Sequence, residues 1–156
     1  PHFVEIGHRQ PALLEPEMFK KIERILYKAF AAMKIEYGAV HPEFRIASDG
    51  KIYFMEIATR MGGDCIGTDL TPLSSGYDFM GMVINICCGK VPDFTKVGKP
   101  KIAEIHYIMC QEDLIKFENL KKENPEIIWR FSKMRSINET PILKSADRAG
   151  YYIIKK

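Results

Sequence analysis

Apolar residues recur every three or four positions in the segment that follows Pro16, which is the pattern of an amphipathic helix. The recurring residues are Phe19, Ile22, Leu26, Phe30 and Met33. Pro16 suits the first helical turn, and Gly38 offers the left-handed conformation in which many helices end. The pattern therefore predicts a helix over residues 16–35.

The pattern changes to strict alternation over residues 39–59, interrupted at Asp49-Gly50. An Asp-Gly pair between alternating segments favours a two-residue hairpin turn, since both central positions of that turn need positive φ. With Ser48 facing Lys51 and one residue added on each side, Glu43 lies directly opposite Glu56.

Alternation also assigns the two faces of this predicted hairpin. One face carries His41, Glu43, Arg45, Phe54, Glu56 and Ala58. The other face is apolar and is predicted to pack on the core; it carries Phe44, Ile46, Met55 and Ile57. A one-residue bulge in either strand would break this pairing.

Shorter patterns predict the remaining elements. Strands are predicted over residues 2–6, 102–109, 126–131 and 151–154, helices over 77–88 and 112–122, and a Gly-, Thr- and Ser-rich loop over 60–75. The sum is an α+β fold in which helices flank an antiparallel sheet built from hairpins.

The electrostatic repulsion between the two facing glutamates has to be offset. Carboxylates directly across a ladder have Cβ atoms about 5 Å apart, and at an effective dielectric constant near 20 their repulsion is of order 3 kcal/mol. A shared proton, a neighbouring arginine such as Arg45 or Arg60, or a divalent cation could offset it. Magnesium takes one or two carboxylates together with water and phosphate oxygens, so we expect Glu43 and Glu56 to bind it.

An arginine and two glycines follow the second predicted strand, in the sequence Arg60-Met61-Gly62-Gly63-Asp64. A guanidinium group matches carboxylate or phosphate oxygens bidentately. Paired glycines let the backbone approach an anionic ligand closely. Beside the opposed glutamates, this combination indicates a site for an acyl phosphate.

The composition limits the other classes of function. The 156 residues suit one domain or a part of a larger enzyme, and the formal net charge of +3 is spread without a basic stripe, which argues against nucleic-acid binding. No apolar stretch approaches the roughly 18 residues of a membrane span. Four cysteines without a C-x-x-C pair favour reduced thiols in a cytoplasmic protein. The N-terminus resembles neither a signal peptide nor a natural start, so we expect a fragment.

Residues 1–95 resemble the C-terminal half of the ATP-grasp fold, in particular the carboxylate-amine ligase branch that includes the L-amino acid ligases. More distant similarities are to the carbamoyl phosphate synthase large subunit and biotin carboxylase. The resemblance rests on V-E-I-G-H-R-Q-P at residues 4–11, G-A-V-H-P-E-F at 38–44, F-M-E-I-A-T-R-M-G-G-D at 54–64 and G-Y-D at 76–78.

This resemblance implies a ligase in which ATP phosphorylates a carboxylate and an amine attacks the resulting acyl phosphate. It implies ATP and Mg²⁺ as cofactors, with Mn²⁺ as an alternative ion, and small-molecule carboxylate and amine substrates. The phosphate-contacting lysines and the adenine pocket belong to a missing N-terminal half of the enzyme. We therefore expect the isolated fragment to be inactive, and the parent enzyme is compatible with a homodimer.

The resemblance also assigns individual residues. Glu43 and Glu56 are the metal ligands and Arg60 is the clamp on phosphate or substrate carboxylate, while His8 lies beside the reacting carboxyl group. Glu5 takes the ammonium group of the substrate. The pocket for the acyl substrate includes Gly62, Gly63 and Asp64.

Ala58 departs from the wider fold, in which many members have an asparagine as a further magnesium ligand at this position. Alanine cannot coordinate a metal. This favours the amino acid ligase branch over a carbamoyl phosphate synthase-like enzyme, or else leaves one coordination position to water.

Three readings remain open. The first is the carboxylate-amine ligase, the second a carbamoyl phosphate synthase-like or biotin carboxylase-like enzyme, and the third a non-catalytic nucleotide- or partner-binding module. For an ATP-grasp enzyme, we expect residues 1–95 to form the catalytic, metal-binding part and residues 96–156 to form a small β-rich subdomain packed on it.

Overall fold

The computed structural model describes residues 3–137 and 141–156. Its helices are α1 (Pro16–Ala32), α2 (Thr71–Ser75), α3 (Phe79–Cys87) and α4 (Gln111–Glu123). Its strands are β1 (Gly7–Gln10), β2 (His41–Ile46), β3 (Ile52–Ala58), β4 (Ala103–Ile108), β5 (Ile128–Phe131) and β6 (Gly150–Lys155). The fold is α+β, as the sequence predicts, with antiparallel sheets and helices beside them.

Four strands form one antiparallel sheet in the order β1-β4-β6-β5. The strand predicted over residues 2–6 is wrong within the described residues, because Phe3 and Ile6 are 84% and 77% exposed and β1 begins only at Gly7. A side chain at Gly7 would collide with the carbonyl oxygen of Ile105 on β4. Glycine at this position therefore allows β1 to approach β4 closely.

Two apolar clusters cover the two faces of this sheet. One cluster consists of Leu70, Ala103, Ile105, Tyr107 and Ile153. The other lies beneath α4 and consists of Ile108, Phe117, Ala149, Tyr152 and Ile154. Alternation along β4 and β6 sends successive side chains to opposite faces, so the same strands contribute to both clusters.

Helix α1 ends three residues before its predicted boundary, in a Schellman motif. Ile35 donates its N–H to the carbonyl of Phe30 (2.9 Å), Lys34 donates to Ala31 (3.1 Å), and Lys34 takes the left-handed φ of 55°. Lys34, rather than Gly38, is therefore the residue that stops the helix. Among the described residues, no helix is long and apolar enough to cross a membrane.

The loop predicted over residues 60–75 is partly helical. A π-helical turn spans Ile66–Leu70 and leads directly into α2. The turn forms because Leu70 is fully buried in the first apolar cluster and the missing side chain of Gly67 leaves room for that of Met61. Asp78 caps α3, since its carboxylate accepts the N–H of Gly81 at 3.0 Å.

The predicted division at residue 95 stays a prediction. Strand β1 lies before that boundary and hydrogen-bonds to β4, which lies after it. Arg9 on β1 and Glu104 on β4 are paired in the ladder and form an ion pair across it. The hairpin of β2 and β3 forms a separate two-stranded sheet.

Candidate metal and substrate site

The hairpin turn is one residue longer than predicted. Ala47 accepts the N–H of Gly50 at 2.9 Å and donates its own N–H to Lys51 at 2.8 Å, which leaves three residues in the loop. Gly50 has the positive φ of 73° that such a loop requires at its last position. The carboxylate of Asp49 accepts the N–H of Lys51 at 3.0 Å.

A bulge in β3 offsets this change of register. Phe44 faces Phe54, whereas the next pair outward is Glu43 facing Glu56, so Met55 has no partner on β2. The predicted opposition of the two glutamates is therefore confirmed, although the turn alone would have misaligned them.

The bulge also corrects the predicted faces of the hairpin. Phe54 lies on the face of Phe44, with ring centroids 6.1 Å apart, and not on the face of Glu43. Met55 is 65% exposed rather than buried in the core. An unpaired bulged residue turns its side chain out of the regular alternation.

The two glutamates form an accessible carboxylate pair. The Glu43 side chain is 54% exposed and Glu56 is also exposed, so solvent screening reduces their repulsion well below the value expected for a buried pair. Within the described residues, no group of three or more His, Cys, Asp or Glu side chains could hold a metal alone. Two hard oxygen donors fit magnesium, which usually completes its shell with water and phosphate oxygens.

His41 connects this hairpin to the glycine loop. Its Nε2 lies 3.3 Å from Oε1 of Glu43, and its Nδ1 lies 3.0 Å from the position that a Cβ on Gly62 would occupy. His41 therefore fixes Glu43 from one side and packs on Gly62 with the other. Hard cations prefer oxygen, so this imidazole is better suited to orienting the carboxylate than to binding magnesium.

The two glycines differ in their surroundings. Gly62 is buried, and a Cβ there would lie 2.8 Å from Cγ2 of Ile66, whereas a Cβ on Gly63 would meet nothing within 4 Å. Gly62 is thus required by packing, and Gly63 is open to a ligand.

Arg60 is exposed; its Nη1 donates to the carbonyl of Met61 at 3.1 Å, and it forms no ion pair with the described residues. Its predicted role as a clamp stays a prediction.

A buried arginine joins two of the predicted substrate-binding residues. Arg148 donates from Nη1 to Oδ2 of Asp64 at 2.8 Å and from Nη2 to Oε2 of Glu5 at 2.7 Å. It also donates to the main-chain carbonyl of Glu5 at 3.0 Å. Glu5 and Asp64 are distant in sequence, and Arg148 is the group that brings their carboxylates together.

His8 and Tyr107 complete this cluster. The guanidinium carbon of Arg148 lies 3.7 Å from the centroid of the Tyr107 ring, and the His8 ring meets the same tyrosine edge-on at 5.9 Å. Nε2 of His8 is 3.9 Å from Oδ2 of Asp64. Three of the predicted site residues, Glu5, His8 and Asp64, therefore share one location.

Burial and neighbouring charges shift the pKa values of His8, Asp64 and Tyr107 in this cluster. Burial lowers the pKa of His8 and outweighs the opposite effect of Asp64 and Glu5. Burial alone would raise the pKa of Asp64, but the hydrogen bond and positive charge of Arg148 outweigh it and lower that pKa. Burial, and then the charge of Asp64, raises the pKa of Tyr107. These shifts favour the neutral form of His8 and the carboxylate form of Asp64.

The cluster borders a cavity of about 450 Å³. Its polar lining includes Asp64, Tyr107, Ser132, Lys133, Arg135 and Arg148. Sequence reasoning missed Arg148 and Tyr107, because neither belongs to a local motif. The alternation of the strand around Tyr107 is the one sequence signal that indicates an inward-facing side chain at this position.

Comparison with protein families gives one match. Residues 1–69 match the family model described as the ATP-grasp domain. No curated protein sequence matches the chain.

Solved structures with the same fold cover nearly all of this chain. An L-amino acid ligase from Bacillus licheniformis aligns over 99% of the chain and 40% of its own length, with 21% identity and a TM-score of 0.78. An N5-carboxyaminoimidazole ribonucleotide synthetase from Thermotoga maritima aligns over 96% of the chain and 40% of its own, with 14% identity and a TM-score of 0.61.

A third structure contains a nucleotide. It is the biotin carboxylase domain of 2-oxoglutarate carboxylase from Hydrogenobacter thermophilus, in complex with MgADP and bicarbonate. It aligns over 97% of the chain and 35% of its own length, with 17% identity and a TM-score of 0.59. The chain thus spans less than half the length of each of these structures. Residues 1–69 therefore match the ATP-grasp domain model, and the chain as a whole shares the fold of the aligned parts of these structures.

Proposed function

We propose that the protein carrying this chain is an ATP- and magnesium-dependent ligase that activates a carboxylate as an acyl phosphate and joins it to an amine. The observation that carries the proposal is the direct opposition of Glu43 and Glu56. The three-residue turn shifts the register of the hairpin by one residue, and the bulge in β3 restores the opposition of the two glutamates. Both carboxylates remain accessible to a ligand.

The chemistry of the metal pair follows from its donors. Glu43 and Glu56 would hold Mg²⁺ by their carboxylate oxygens, and the bound ion would neutralise charge on the phosphates of ATP. His41 orients Glu43 through the contact of its Nε2 at 3.3 Å. These residues contribute binding and orientation, which are the main contributions of a protein to phosphoryl transfer.

The substrate end of the site is assigned to the residues around Arg148. Glu5 and Asp64 carry two negative charges against one positive charge, which suits the ammonium group of an amino acid substrate. Arg60 has no carboxylate partner among the described residues and is free to hold a phosphate or carboxylate. Gly63, with open space beside it, allows the substrate to approach the main chain.

We also propose that this chain works together with the remainder of an ATP-grasp domain. The L-amino acid ligase is more than twice as long as the part that aligns. Along α1, Ile22 is the one buried residue described, while Phe19, Tyr27 and Phe30 border an apolar cavity of about 580 Å³ together with Phe44 of the hairpin. An apolar face of this kind supports an adjoining domain.

The proposal is tested on the full-length protein by measuring phosphate release from ATP across a panel of amino acid pairs, with and without magnesium. Glu43→Gln and Glu56→Gln should each lower the magnesium-dependent rate at least about 100-fold, because each removes one charged ligand of the ion. Glu118→Gln is the matched control, since it makes the same chemical change at an exposed position of α4.

Other outcomes distinguish the rival functions. Phosphate release that depends on bicarbonate with ammonia or biotin, and not on amino acids, would indicate a carbamoyl phosphate synthase-like or biotin carboxylase-like enzyme. Absence of any magnesium-dependent turnover, with both glutamine variants unchanged in stability and ligand binding, would indicate a non-catalytic module. The isolated 156-residue chain should release no phosphate above background.

A further inference from the structure

Arg148 is a charged residue that is almost fully buried. Its side chain is 6% exposed, whereas the carboxylates that it contacts on Glu5 and Asp64 are 52% and 39% exposed. Buried charges are costly unless they are paired. Arg148 is therefore the most buried of the three charged groups, and both carboxylates remain partly open to an external ligand.

The position of Arg148 is fixed by the main chain around it. It follows the 3₁₀ turn Ser145–Asp147 and donates its N–H to the carbonyl of Ser145 at 3.3 Å. Its own carbonyl accepts a hydrogen bond from Arg135, and the next residue, Ala149, donates to Ile108 on β4 at 2.8 Å. These hydrogen bonds anchor the main chain of the C-terminal segment at the position from which the guanidinium reaches Glu5 and Asp64.

Its hydrogen bonds are not those of a fully satisfied structural ion pair. The Nε of Arg148 is buried and has no partner among the described residues. Buried polar groups in native structures are normally hydrogen-bonded, and exceptions call for an explanation. A role in arranging the site would account for a buried arginine with this unsatisfied group.

We propose that Arg148 is a positioning residue of the substrate site: it holds Glu5 and Asp64 side by side and leaves them one uncompensated negative charge, which selects a substrate with an ammonium group. The inference rests on the proposed function, and it adds a residue from the C-terminal segment to that site. Without the guanidinium, the two carboxylates would repel each other and lose their common geometry.

The pKa of His8 tests this arrangement without a measurement of catalysis. The charged and titratable groups that face it are Glu5, Asp64, Tyr107 and Arg148. The guanidinium lowers the pKa of His8, whereas the two carboxylates raise it. Removing the charge of Arg148 should therefore raise the pKa of His8, and a variant that keeps the charge should not.

The experiment compares Arg148→Gln and Arg148→Lys in the full-length protein. The substrates are an amino acid that the wild type uses and the carboxylic acid with the same carbon skeleton but no amino group. In Arg148→Gln, the preference for the amino acid, measured as the ratio of kcat/KM values, should fall at least about tenfold, mainly through KM. Arg148→Lys keeps the charge but not the fork that spans two carboxylates, so it should lose preference while the His8 titration stays near that of the wild type.

The matched control is Arg130→Gln, which removes a guanidinium from a different carboxylate, Asp69. It should lower thermal stability without altering substrate preference or the His8 titration, which is followed by NMR. If Arg148→Gln lowers stability but leaves the substrate preference and the pKa of His8 unchanged, Arg148 is purely structural and the inference is wrong.

Failure of the proposed function has a different signature. In that case the wild type shows no amino acid-dependent phosphate release, whatever residue occupies position 148. The His8 titration still tests the arrangement then, because it needs no turnover. An unchanged pKa of His8 in Arg148→Gln would overturn the positioning role in either case.

Discussion

Glu43 lies directly opposite Glu56 because two departures from regular hairpin geometry cancel. The loop contains one residue more than an Asp-Gly turn needs, and Met55 on β3 bulges out of the ladder one step before Glu56. Each change alone would shift the glutamates to different faces. The carboxylate pair is thus a feature that the strand geometry maintains.

This relationship predicts how magnesium changes stability. A ligand that binds only the native state raises the unfolding temperature, so MgATP should raise the Tm of the full-length wild type and have little effect on Glu43→Gln or Glu56→Gln. Without metal, neither substitution should lower Tm, since each relieves repulsion at an exposed site. Thermal denaturation with and without MgATP measures both effects. A variant that unfolds earlier without metal would show that the carboxylate has a structural role.

Local patterns predicted much of this fold. Helix α1, strands β4 and β6, and the hairpin follow from periodicity because each arranges its apolar residues regularly within a single continuous segment. The opposition of Glu43 and Glu56 was predicted from the same alternation. The predicted turn type was wrong, and the two residues still face each other because the bulge, which alternation cannot reveal, restores the register.

The cluster around Arg148 could not be derived in the same way. Arg148 reaches Glu5 across 143 positions and Asp64 across 84, and no sequence periodicity relates such distant residues. The π-helical turn at Ile66–Leu70 was also missed, since glycine and threonine there are typical of a loop. Tertiary burial of Leu70 overrides that local preference.

The two glycines of the loop should respond differently to alanine. In Gly62→Ala, the new methyl group would lie 2.8 Å from Cγ2 of Ile66 and 3.0 Å from Nδ1 of His41, so we expect a loss of about 1–3 kcal/mol in unfolding free energy. Gly63→Ala meets nothing within 4 Å and should leave that free energy nearly unchanged. Chemical denaturation of the two variants tests this difference. Equal destabilisation would contradict the packing role of Gly62.

Asp69 should be important for stability rather than for the site. It is 6% exposed and accepts hydrogen bonds from Nε1 of Trp129 at 3.2 Å, from Nη1 of Arg130 at 3.1 Å and from the hydroxyl of Thr68 at 2.7 Å. Asp69→Ala leaves these donors without their acceptor, and because Arg130 is half exposed the expected cost is about 2 kcal/mol.

The measurement for Asp69 uses the single tryptophan of the chain. Fluorescence of Trp129 in the isolated chain should change in Asp69→Ala already in the native state, because its indole N–H loses its acceptor. Unfolding in urea, followed by the same signal, gives the change in stability. Asp93→Ala, at an exposed carboxylate that caps Thr95, is the control and should leave the tryptophan emission unchanged.

Glu104 should make stability depend on pH. Burial alone would raise its pKa, but Lys156 and then Arg9 outweigh burial and lower that pKa below its usual value. A carboxyl group with a lower pKa in the folded state contributes stability above its unfolded pKa, near 4.3, and loses it as the pH falls through the folded pKa. Glu104→Gln should therefore flatten the acid limb of the stability curve, measured by urea unfolding from neutral pH down to the acid transition. An acid limb as steep as that of the wild type would show that other carboxylates, and not the link between β1 and β4, control acid unfolding.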